Sequence, residues 1–294
     1  MALTTQFWLA VSVGLFFFCL STTLNAQIFA SIREIMTAKK ETHESTINST
    51  IRTAYSFGWV IGPIIGSWFA TTLGLRFTFF ITAFLYIICL IPLLSYLMNQ
   101  VHASKNITKS GQVSAVDIRL FCFALLSVFV LSGDTIKVSY LPLYIVENLK
   151  QQPYIFGSLL SLSAIVELVI FPAAGLLADK VGTGTVIAGG LALGIVDYAL
   201  LAMSTMIWQL AVVQLLHVGV LAALLGLGVT FAQQLHREQP GLASSTYLGA
   251  QSLSTPLGSI LGSSGVQIVG IPSVFFLPSA ICMLSLVLFL EHCS

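Results

Sequence analysis

Six ionisable residues fall inside or at the edges of long apolar runs: Arg52, Asp134, Lys137, Glu167, Asp197 and His217. A charged group in hydrocarbon costs about 3 kcal/mol or more, so such a residue faces a cavity or a partner. Asp134 and Lys137 are three apart, which puts them on one helix face. They either pair with each other or form a charged lining for a polar substrate path. Glu167 stands in a run without a base. It is either a neutral acid hydrogen-bonded to a neighbouring helix or a proton carrier, because gaining or losing a proton changes what a carboxyl needs from water. Asp197 is expected nearer the outer face, reaching water. His217 titrates in a range that suits proton exchange. Arg52 begins its run, where contact with lipid headgroups is the default.

Uncharged groups extend this set. Asn25 and Gln27 close the first apolar run, and Gln214 lies within a later one. Amides there either hydrogen-bond a ligand or bind neighbouring helices. Tyr55, Trp59, Tyr140 and Tyr144 could offer flat faces to sugar rings, although aromatics also form interfacial belts and ordinary core packing. A sugar needs several donors and acceptors beside such faces. The candidate polar lining is therefore Asn25, Gln27, Arg52, Asp134, Lys137 and Gln214, with the four aromatics alongside.

Other chemistry finds little footing. There is no Walker-type loop and no dinucleotide fingerprint. The five cysteines have no metal-ligand spacing, and four lie in apolar runs as small hydrophobes. Nothing places a Ser-His-Asp set. The expectation is a protein that is not an enzyme and uses no cofactor and no metal. A net charge of +1 offers no case for nucleic acid.

The elements that must position these residues follow from composition. Hydrophobic residues make up 56% and charged residues 8% of 294, with mean hydropathy +0.95. Soluble domains carry about 25% charged residues. The chain reads as an all-α polytopic membrane protein in a lipid bilayer. Nine apolar runs are long enough to cross at about 20 residues each: 7–30, 51–73, 77–97, 120–146, 155–178, 186–203, 207–232, 241–269 and 271–290. The run 241–269 is rich in Ser, Thr and Gly, so it must pack through small residues or line a polar cavity. The longest polar stretch, 98–117, reads as a linker. The expected organisation is three spans in 1–97, a cytoplasmic linker at 98–117 and a six-helix bundle in 118–294.

Charge sets the orientation. The loops 31–50, 98–119, 179–185 and 233–240 hold most of the basic residues, and the alternate loops hold only Arg76 and Lys150. The positive-inside rule puts the first group in the cytoplasm. The N-terminus is then expected outside and the C-terminus inside.

Two stretches carry a family resemblance. Gly175-Leu-Leu-Ala-Asp179-Lys180-Val-Gly182 reads as a charged turn between two runs, with Asp179 at the mouth of the second helix, and resembles the signature loop of the major facilitator superfamily. Thr183, Gly184 and Thr185 stand where further basic residues usually follow. The segment from Ile51 through Arg52, Tyr55 and Trp59 to Pro63 resembles the fifth helix of the bacterial sugar efflux (Set) branch. Ser21 to Glu34, with Asn25 and Gln27, resembles the fourth. Tyr140-Leu-Pro142-Leu-Tyr144 and Glu167 fit the seventh and eighth. The resemblance implies that helices one to three of a twelve-helix fold are missing, leaving about nine. It also implies a proton-driven exporter of sugars or small glycosides in the bacterial inner membrane. An exporter of amphiphilic drugs and an inactive or partner-dependent membrane subunit are the alternatives.

Overall fold

The computed structural model describes residues 117–152 and 154–292, together with 72–74, 76–88 and isolated positions between 46 and 69. The chain divides into two units, one of Met1–Cys19 and Ile61–Val116, the other of Leu20–Val60 and Asp117–Ser294. In the first unit the described element is helix α1, Arg76–Ile88. It follows a tight turn in which the Thr78 amide donates to the Gly74 carbonyl at 3.2 Å.

The second unit is helical throughout its described residues. Helix α2 spans Ile118–Leu143, α3 Tyr154–Val181, α4 Thr183–Met203, α5 Ile207–Leu221, α6 Leu227–Leu235, α7 Pro240–Val269 and α8 Phe276–His292. A π turn, Tyr144–Asn148, extends α2, and another, Ala222–Gly226, joins α5 to α6. Asp117 starts α2 by accepting from the Arg119 amide at 2.9 Å, satisfying one of the donors a helix start leaves open. Pro142 lacks an N–H, so the ladder is already interrupted where the wider turn begins.

Among the described residues, five helical segments are long and apolar enough to cross a membrane: 118–148, 155–181, 183–203, 207–235 and 273–291. This is an all-α polytopic membrane protein among its described residues. Helix α7 falls outside that group because serine, threonine and glycine dilute its hydropathy. It packs instead on α2 along its length. A Cβ on Gly258 would stand 2.5 Å from the Ser132 carbonyl oxygen and 2.6 Å from Thr135 Cβ, so only glycine permits this approach. The small residues serve helix packing, the first of the two roles expected for this run.

The break between α3 and α4 is shorter than the sequence suggests. Gly175, Asp179 and Lys180 all belong to α3, and only Gly182 interrupts the helices, at φ 94°. Glycine alone takes that backbone conformation without strain. The expected charged turn is therefore one residue long.

Aromatic contacts fix the directions of the helices. Phe123 near the start of α2 meets Phe231 in the middle of α6 (4.8 Å), Tyr247 near the start of α7 (5.6 Å) and Phe289 at the end of α8 (6.2 Å). At the opposite end Tyr144 meets Phe275, and its hydroxyl donates to the Ser204 carbonyl. Successive spans thus alternate in direction, and buried aromatics pack both ends.

Candidate functional site

Between those aromatic ends the helices bring ionisable residues together. His217 on α5 is 2% exposed. Its Nδ1 lies 2.7 Å from Asp197 Oδ2 on α4, and its Nε2 lies 3.0 Å from Asp134 Oδ1 on α2. Tyr198, next to Asp197, sets its ring at 74° to the imidazole with centroids 5.6 Å apart, fixing the plane of the histidine. Asp197 is fully buried, whereas the Asp134 side chain is 36% exposed. The chain of contacts therefore runs from a fully buried carboxylate to a partly exposed one.

Two expectations are corrected here. Asp197 does not reach water at an outer face, because α4 is packed against α5 and α8 and turns the carboxylate inward to His217. Asp134 and Lys137 share a helix face, yet of the two alternatives the ion pair is not formed among the described residues: Asp134 Oδ1 meets His217, and Lys137 attracts Asp134 only at longer range. Lys137 is nonetheless buried, at 2% exposure, within electrostatic reach of Asp197, Asp134 and Glu167. Glu167 is half-buried on α3. One turn before His217, Gln214 is 1% exposed, and its Oε1 has no hydrogen-bond partner among the described residues. A buried amide oxygen left unpaired is a place for a donor.

The aromatic candidates separate. Tyr140 is half-buried on α2, with its ring edge over Gly262 of α7. Tyr144 is 3% exposed and committed to Ser204 and Phe275, so its ring is enclosed in the end of the bundle. Asn25, Gln27, Arg52, Tyr55 and Trp59 lie outside the described residues. In the signature stretch, Asp179 is not at the mouth of the second helix. It occupies the last turns of α3, and its carboxylate accepts from both the backbone amide (3.2 Å) and the hydroxyl of Thr46. The reason is the helical continuation through Val181, which carries Asp179 away from the start of α4.

Sequence reading left Asp197 and His217 out of the candidate lining. The available signal was that each is the lone ionisable residue of its run. Their partnership depends on which helices are neighbours, and periodicity is silent on that.

The fold and this buried polar centre belong to a multi-pass helical membrane protein. A family model described as Major Facilitator Superfamily matches residues 1–235 and 122–292, and the chain belongs to that superfamily. It is 25% identical over 269 residues to "Sugar efflux transporter A" of Dickeya chrysanthemi, covering 90% of this chain and 66% of that protein. It is 28% identical over 251 residues to "Multidrug resistance protein MdtG" of Proteus mirabilis, covering 81% and 61%. It is 22% identical over 278 residues to "Sugar efflux transporter C" of Escherichia coli, covering 92% and 70%. The chain thus spans about two thirds of the length of these relatives.

Proposed function

We propose that the chain belongs to a secondary active transporter that exports sugars or small glycosides across a bacterial inner membrane by proton antiport. The observation that carries this reading is the buried polar centre of the second unit, with Asp134 partly exposed and Lys137 and Gln214 on the same helices as Asp134 and His217. Alternating access in such bundles rocks one half against the other around a mid-membrane site. Asp134, Lys137 and Gln214 bind sugar hydroxyls, Tyr140 offers a ring face, and Asn25, Gln27, Arg52, Tyr55 and Trp59 complete the lining. Glu167 takes part in the proton step.

The organisation proposed with it is three spans in 1–97, a cytoplasmic linker at 98–117 and a six-helix bundle in 118–294, with the N-terminus outside and the C-terminus inside. The alternating helix directions support the charge pattern, since they carry Arg119, Lys180 and Arg237 to one end and Lys150 to the other.

Similarity to MdtG supports a second reading, export of amphiphilic compounds. Uptake into inverted membrane vesicles with radiolabelled glycosides and with hydrophobic dyes separates the two. Proton-driven accumulation of glycosides is expected. Dye movement alone would favour the drug reading. Movement of neither would favour an inactive or partner-dependent subunit.

A further inference from the structure

The two contacts on His217 set a proton count. An imidazole nitrogen at hydrogen-bond distance from a carboxylate oxygen needs a hydrogen on one of the two atoms. Neutral histidine carries one N–H, so it satisfies one contact and turns a lone pair toward the other. Holding both the 2.7 Å and the 3.0 Å contact therefore takes two protons shared among Asp197, His217 and Asp134. Either the imidazole carries both, or one sits on a carboxyl.

Losing one proton has a direction built into it. A lone pair facing a carboxylate is repulsive, so one contact must open. Asp197 is sealed, and water cannot receive its carboxylate. The Asp134 side chain is 36% exposed, so it is the less enclosed of the two carboxylates and the one whose release costs less. Helices α2 and α5 pack little on each other, so the His217–Asp134 bond ties α2 to this part of the span, whose far end meets α2 through Phe231 and Phe123. Other groups facing this centre are Lys137 on α2, Tyr198 on α4 and Cys282 on α8, with Glu167 on α3 acting through Lys137. Helices α6 and α7 bring no charged residue to it.

We infer that Asp197, His217 and Asp134 form a proton-binding site separate from Glu167, holding two protons when α2 is tied to α5 and one when Asp134 is released. As a step of export it rests on the antiport reading, with the proton leaving at Asp134 while Asp197 and His217 retain theirs.

The test counts protons without substrate. The full chain, with its five histidines labelled with nitrogen-15, is placed in lipid nanodiscs and titrated. Ring N–H signals are read by NMR and protonated carboxyls by their infrared C=O band. His217 is assigned by the signals lost in His217→Gln. If that variant does not fold, His217 is assigned by the signals that Asp134→Asn and Asp197→Asn both displace. The expected wild-type total is two, falling to one as the pH rises. Asp134→Asn should hold a single His217 N–H throughout, because an asparagine amide can donate to the other ring nitrogen. A wild-type total that stays at one or never changes overturns the inference, as does an Asp134→Asn titration identical to wild type. Failure of the vesicles to move sugar would sink the export reading and leave this proton count to stand or fall by itself.

Discussion

The Tyr247 hydroxyl donates to the Leu224 carbonyl at 2.6 Å, bridging α7 to the π turn that joins α5 to α6. A π turn displaces its carbonyls from the ordinary ladder. The Leu227 amide donates to this one, and the tyrosine hydroxyl adds a second donor from α7. Its ring lies so close to Gly228 that a side chain there would collide with it. Tyr247→Phe keeps the ring and removes the bond. The expected loss is about 1–2 kcal/mol of stability, read as a lower midpoint of thermal unfolding in detergent. An unchanged midpoint would mean that the π turn needs no external donor.

Gly258 makes a sharper stability prediction. Replacement by Ala forces α7 away from the Ser132 backbone and should destabilise the protein by about 1–3 kcal/mol. Gly249, on the same helix, has open space where an added methyl group would stand, with nothing within 4 Å, so Gly249→Ala is the control. Cys282 is fully buried, so a thiol-reactive dye follows the unfolding of each variant. Equal midpoints for the two variants would show that the α2–α7 approach is not tight.

Glu167→Gln keeps the side-chain shape and removes the titrating proton. Proton-driven export should fall at least tenfold, while sugar exchange at equal pH on both sides persists because it moves no net proton. Driven export at the wild-type rate and pH dependence would leave Glu167 with a structural role beside Lys137.

The orientation can be checked without any transport. Single cysteines replacing Lys105 and Lys150 should react with a membrane-impermeant reagent from opposite sides, Lys105→Cys from the cytoplasm. Labelling of both from one side would reject the arrangement of nine spans with a cytoplasmic linker.

The helices of residues 118–292 were legible in the sequence because bilayer thickness and backbone hydrogen bonding allow an apolar run little else. The runs 120–146, 155–178, 186–203 and 207–232 lie within the helical spans found, and the Ser- and Gly-rich run 241–269 is the one that packs through small residues. The ionisable residues were legible as outliers for the same reason. Their partners were not. Asp134 and Lys137 are three apart and looked paired, but α5 places His217 against Asp134, and a pairing across 83 residues leaves no trace in local spacing. Asp197 looked free to reach water until packing by α5 and α8 enclosed it. Tyr144 looked like a sugar platform until the turn after Pro142 closed it over Ser204. Helix formation depends on contacts within a few residues, which a sequence displays directly. Which side chains share one buried space depends on how separate helices pack, and only the tertiary structure decides that.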